Sequence, residues 1–184
     1  DVVGGDAFYQ PDRIEEIARA YRDMVASVSD TLTTMLVLGP APEDEFVPPE
    51  LRGALCAAVV GCSVANPVEA EAGLDLVRKL DPPVDLFDRM PYTDMQSLFD
   101  AEFPARGRYY FKGGFLTAFS DGAMEAVMEH MRMRPSAASE FDLHHMSGAV
   151  HRVGEMDTSF SNRSANFTYN IVAKWQDPAD DAAN

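Results

Sequence analysis

Lysine is nearly missing from this chain: Lys79, Lys112 and Lys174 are the only three in 184 residues. With 30 acidic against 15 basic side chains, the net charge is -15 and the predicted pI about 4.5. A field of that sign repels nucleic acid and anionic membrane surfaces, so neither is an expected partner. The acids are scattered rather than blocked, the pattern of a solvated surface, and a high acid content with so few lysines also fits a salt-adapted one. No apolar run approaches the roughly 20 residues of a membrane span. Cys56 and Cys62 fall in one expected strand, Ala54 to Val64, roughly 20 Å apart at strand spacing, too far for a disulfide. They read as small core residues, and no His/Cys spacing of metal-site type occurs. No Gly-x-Ser-x-Gly elbow is present. Val3-Gly4-Gly5-Asp6 has neither the spacing nor the following helix of a phosphate loop. The acceptor patterns Asn162-Arg163-Ser164 and Asn166-Phe167-Thr168 sit in a chain with no secretory context, and a cytoplasmic location is expected.

What is present suits one globular domain. Hydrophobic residues make up 46% and charged ones 24%, enough for a sizeable core. Pro11 to Val28 reads as a helix, with Ile14, Ile17, Ala18, Tyr21, Met24, Val25 and Val28 at helical spacing. Thr31 to Leu38 is β-rich, and Gly39 to Pro49 is a proline-punctuated loop. The almost wholly apolar Ala54 to Val64 reads as a central strand. Asn66-Pro67 caps a helix running to about Leu80. Asp85 to Pro91 is expected to be irregular, with Thr93 capping a short helix that carries Met95, Leu98 and Phe99. Ser120 caps a helix through Met133 whose methionine stripe is core. Arg108 to Phe115, Glu140 to Met146 and Phe167 to Trp175 read as strands, and Ala149 to Val153 as an extended piece. Strands that follow one another directly predict antiparallel pairing with helices packed on one face, an α+β fold. At the end of the chain, Asp177 as N-cap with Pro178 opens a helix that stops almost at once, so a fragment of a larger protein is expected.

Two stretches carry candidate chemistry. Arg108-Tyr-Tyr-Phe-Lys-Gly-Gly-Phe115 puts Tyr110 and Lys112 on one strand face, next to glycines of the kind that mark close approach by another backbone or a ligand. Its alternative is an edge strand guarded by a solvated lysine. In Glu140-Phe-Asp-Leu-His-His-Met-Ser-Gly148, one face carries Glu140, Asp142 and His144, the other Phe141, Leu143 and His145. Such a polar face lines either a cavity or solvent. A histidine there is a usable base near neutral pH if a second group and a substrate are in reach. His130 reads as favourable placement near a helix C-terminus.

Four segments in order resemble the substrate-binding part of FAD-linked oxidases of the berberine-bridge-enzyme-like group. They are Met90-Pro-Tyr-Thr-Asp-Met-Gln-Ser-Leu-Phe-Asp100, Arg108 to Phe115, His144-His-Met-Ser-Gly-Ala-Val150, and Tyr169-Asn-Ile-Val-Ala-Lys-Trp175 with Asp177-Pro178. The opening Val2 to Tyr9 resembles the point where that family leaves its flavin domain. The resemblance implies that residues 1–184 are one substrate-binding domain, with an N-terminal FAD domain and a C-terminal flavin-contacting segment lying outside them. It implies FAD as cofactor, often attached through His and Cys, and an antiparallel sheet covering the flavin ring. By position, Tyr110 and Lys112 would line the sheet face near flavin or substrate, and Pro91, Tyr92 and Gln96 the segment entering the site. The Glu140 to His145 strand would face the same cavity, on either parity; Asp142 and His144 are the substrate-site candidates from it. Ser147-Gly148 stands where the family often has Gly-Gly, and Gly113 where Ser is common.

The implied reaction is hydride transfer from a C–H of an alcohol-type or similar small-molecule substrate to flavin, followed by reoxidation by dioxygen. The family's usual catalytic tyrosine would lie beyond Asn184, so the catalytic base is unassigned and residues 1–184 alone are expected to be inactive. The competing readings are a free-standing α+β ligand-binding module without flavin, and a module that dimerises through an uncovered apolar sheet face.

Overall fold

The computed structural model describes residues 1–184 as a single antiparallel sheet with a layer of helices. In chain order the elements are β1 (Val2–Phe8), α1 (Ile14–Val25), β2 (Leu32–Pro40), β3 (Leu55–Ser63), α2 (Pro67–Arg78), β4 (Val84–Asp85), β5 (Asp88–Met90), α3 (Tyr92–Gln96), β6 (Arg108–Leu116), α4 (Asp121–Arg132), β7 (Glu140–His145), α5 (Ala149–Arg152) and β8 (Phe167–Trp175). The eight strands run in the order β4-β1-β3-β2-β7-β8-β6, with β5 also paired to β1, and every pairing is antiparallel.

One sheet face is covered by the three long helices. Along α1, Ile14, Ile17, Ala18, Tyr21 and Val25 are all buried, the stripe a 3.6-residue period places on one side. They meet Leu36 and Leu38 of β2, Ala57 and Val59 of β3 and Leu143 of β7, together with Leu74 and Val77 of α2 and Met124, Met128 and Met131 of α4, in one core. Two phenols buried there keep their hydroxyls paired. Tyr9 donates to the Val77 carbonyl at 3.0 Å, and the Tyr21 hydroxyl lies 3.2 Å from that of Thr34. Helix starts follow the sequence signals: Asn66 Oδ1 accepts from the amides of Val68 and Glu69, and Ser120 Oγ accepts from Ala123.

Four expectations fail locally. Asp85 to Pro91, expected to be irregular, contains β5, whose backbone pairs with β1. The helix predicted from Pro11 to Val28 begins with a 3-10 turn, Pro11–Arg13, and ends at Val25. Thr93 lies inside α3, whose N-cap is Pro91, and its hydroxyl contacts its neighbour Asp94 instead of capping. Ala149 to Arg152 forms a short helix, not an extended piece, entered through Gly148 at φ 59°. The largest omission is β1. Its Gly4-Gly5-Asp6 core lacks strand character, yet all seven residues are buried. Gly5 sits at φ 144°, where a Cβ would lie 2.4 Å from the Leu86 carbonyl oxygen. That glycine lets β1 change partner from β4 to β5 at close quarters.

Candidate functional site

The site is built on the sheet face turned away from the long helices. Period-two alternation sends Asp6 and Phe8 of β1, Ala58 and Val60 of β3, Met35 and Val37 of β2, Glu140, Asp142 and His144 of β7 and Asn170 of β8 to this side. The segment after α3 folds back across it. Phe99, Glu102 and Phe103 roof these residues into a cavity of about 180 Å³. Phe103 anchors the roof against Tyr109 and Phe111 of β6, with ring centroids 5.7 and 5.9 Å away. Gly39 of β2 makes room for Glu140, since a Cβ there would stand 2.9 Å from that of Glu140.

A buried ion cluster holds one wall. Lys174 Nζ lies 2.7 Å from Glu140 Oε2 and 3.4 Å from Glu102 Oε2, and 4.3 Å from the centre of the Phe103 ring. Lys174 and Glu140 are both buried. Burial nevertheless holds the Glu140 carboxyl above its ordinary range, against the pull of Lys174. Asp142 is raised to about 7, first by burial and then by the charge of Glu140. Asp6 is raised to about 6, by burial and then by Glu102. Burial lowers His144, so the imidazole is neutral at pH 7, with the Asn170 amide nitrogen 3.4 Å from its Nε2. The cavity therefore offers two carboxyls poised to exchange protons near neutrality and one neutral imidazole.

The structure divides the sequence-derived candidates. Asp142 and His144 are brought together in the cavity, on the same strand face as Glu140. Tyr110 and Lys112 point to the opposite face: they pair with Ala173 and Ile171, which line an apolar recess beneath α4. Lys112 Nζ rests 5.9 Å from the Tyr110 ring, and that ring is exposed. Strand β6 is the sheet edge, so the solvated edge lysine describes this pair. Its glycines are crowded by the neighbouring strand. A Cβ at Gly113 would lie 2.9 Å from Asn170 Oδ1, and one at Gly114 would lie 2.8 Å from the Tyr169 hydroxyl. Tyr92 and Gln96 are exposed on α3, outside the cavity, while Met95 of the same helix packs against Gly4. The sequence reading missed Asp6, Glu102 and Lys174. Lys174 carried a signal, because it shares the non-aromatic parity of β8 with Asn170.

No protein-family model and no curated protein matches the chain in sequence. Solved structures match its fold. BBE-like protein 28 of Arabidopsis thaliana superposes with a TM-score of 0.72 over 95% of this chain and 37% of its own, at 16% identity. A variant of berberine bridge enzyme gives 0.74 over 98% and 36%, at 11% identity. Aclacinomycin oxidoreductase gives 0.72 over 100% and 39%, at 15% identity. The chain thus has the fold of one region of berberine bridge enzyme, its BBE-like relatives and aclacinomycin oxidoreductase, and spans less than half the length of each.

Proposed function

We propose that residues 1–184 are the substrate-binding part of an FAD-dependent oxidoreductase, with the roofed sheet face as the substrate site. The observation that carries this reading is the coincidence of two features. The whole chain matches one region of the solved BBE-like chains, and the face its long helices leave bare holds the cavity with the perturbed carboxyls. The surface beside the roof also fits a planar ring system. Phe111 and Phe115 of β6 are exposed on that side, flanking Gly113, whose cross-strand partner is Asn170.

When bound, FAD supplies a two-electron acceptor for a substrate C–H and a route to dioxygen. The residues of this chain bind and deprotonate the substrate. Asp142, with its carboxyl held at about 7, takes a proton from a substrate O–H or N–H at neutral pH. His144 accepts a hydrogen bond at an imidazole nitrogen. The Lys174–Glu140 pair fixes the ends of β7 and β8 and keeps a negative charge beside Asp142. Phe99 and Phe103 exclude water from above.

The test is to purify the protein that carries this chain, denature it in acid and read flavin absorbance in pellet and supernatant. Yellow colour in either fraction supports the reading, and its location reports whether the link is covalent. A protein that stays colourless after FAD is added overturns it in favour of a flavin-free binding module.

A further inference from the structure

The segment that roofs the cavity is tied to the fold by side chains alone. Between Ser97 and Gly107 no residue is buried. Its backbone hydrogen bonds close local turns, such as Glu102 onto Phe99 and Gly107 onto Pro104, and none reaches the sheet. Three side-chain ties hold it down. Phe103 packs on the Tyr109 and Phe111 rings, the Tyr109 hydroxyl donates to the Pro104 carbonyl at 2.9 Å, and Lys174 Nζ donates to Glu102 Oε2 at 3.4 Å. A segment with neither buried side chains nor backbone ties opens locally at low cost while the rest of the fold stays closed. Its ends are placed to bend. One follows α3, and the other is the Pro104–Gly107 turn, where Arg106 is held at φ 80°.

The roof also stands between two cavities. Beneath it lies the cavity of about 180 Å³, and outside it a recess of about 670 Å³. Asp6, Phe8, Phe99 and Glu102 line both, so the roof residues Phe99 and Glu102 form the partition. The inner cavity alone is smaller than the roughly 300–1,000 Å³ of small-molecule sites, and joined to the recess it reaches that range. The ion pair across the partition can part without stranding a charge. Lys174 keeps Glu140 at 2.7 Å when Glu102 leaves, and the Glu102 side chain, 43% exposed, is already in reach of water.

We propose that Ser97 to Gly107 is a gate between the inner cavity and the outer recess, latched by Glu102 on Lys174 and by Phe103 on Tyr109 and Phe111. With a planar ring seated beside Phe111 and Phe115, the gate is the way by which a small molecule reaches Asp142 and His144. That use of the gate rests on the proposed function, and the gate itself does not.

The experiment uses the whole protein that carries this chain and reads the gate at Asp6, a buried side chain on the cavity wall behind the partition. The probe is a water-soluble carbodiimide with glycine ethyl ester at pH 5, where most of the Asp6 carboxyl is protonated, and peptide mass spectrometry reads the label. Asp6 is expected to label slowly, at a rate that low urea leaves unchanged, because opening the roof exposes little surface. Phe103→Ala is expected to label about tenfold or more faster, the margin of its two ring contacts. Glu102→Gln, which leaves the Lys174–Glu140 pair in place, is expected to label about two- to fivefold faster, the margin of an exposed ion pair. A rate at Asp6 that Phe103→Ala leaves unchanged overturns the proposal, and if that variant does not fold, Glu102→Gln decides in its place. Labelling that rises steeply with urea, the mark of global unfolding, overturns it too. Flavin absorbance of the same samples separates the two readings. A colourless protein whose labelling answers to the roof variants keeps the gate and loses the oxidoreductase, and a yellow protein whose labelling ignores them does the reverse.

Discussion

Replacing Asp6 by Asn should make the protein more stable, and only above the pH at which the carboxyl ionises. In the folded chain the Asp6 carboxyl is raised from 3.8 to about 6. A shift of about two pH units, at about 1.4 kcal/mol per unit, means that ionising this group costs the folded state about 3 kcal/mol. Between those two pH values the folded protein holds more protons than the unfolded one, so stability is complete below about pH 4 and falls as pH rises to about 6. Asn has nearly the same shape and nothing to ionise. Its buried amide is imperfectly met at every pH, a cost of up to about 2 kcal/mol, which leaves a gain of about 1–3 kcal/mol at pH 8 and no gain, or a loss of up to about 2 kcal/mol, at pH 4. Asp142 titrates in both proteins and cancels in the difference. The assay is urea unfolding of the 184-residue chain and the variant at several pH values, with midpoints compared at constant slope. A variant less stable than the parent at pH 8, or a gain that does not depend on pH, would refute the reasoning.

Other perturbations read other parts of the fold. Lys174→Met strands Glu140 in a buried site beside Glu102 and should cost about 3–5 kcal/mol at pH 8 in chemical unfolding. The cost should shrink toward pH 5, because Glu140 is already held above its ordinary range and protonates to escape the penalty. Gly5→Ala must accommodate a Cβ 2.4 Å from the Leu86 carbonyl at φ 144°. A loss of at least about 1–3 kcal/mol is expected, with faster amide exchange at the β1 junction with β4 and β5. Asn66→Ala removes the cap that receives the Val68 and Glu69 amides and should cost about 1 kcal/mol at every pH in the same unfolding assay.

The elements legible in the sequence were those whose pattern is local. The helical stripe of α1, the proline-flanked cap of α2, the Ser120 cap of α4 and the alternation of β8 each announce themselves within one window. So does the polar face of β7, which is why Asp142 and His144 were singled out, and both line the cavity. Strand β1 was not legible, because burial on both faces and the partner change at Gly5 are set by β3, β4 and β5 and not by its own glycine-rich sequence. Lys174 and Glu140 meet only once β7 and β8 are in register, 34 positions apart, and Glu102 arrives with a roof segment that has no periodic signal. The edge position of β6 misdirected attention to Lys112. A rare lysine followed by two glycines looks functional, but the glycines answer to Asn170 and Tyr169.

In the proposed function the bare sheet face, not the face under α4, confronts the cofactor and substrate. The most direct measurement is the visible flavin spectrum of the whole protein in two variants, Asp142→Asn in the cavity and Lys112→Ala on the opposite face. The account predicts that Asp142→Asn shifts the flavin absorption bands, because it removes a charge beside the ring, while Lys112→Ala leaves them where they were. A shift in Lys112→Ala with none in Asp142→Asn, or no flavin bound at all, would contradict it.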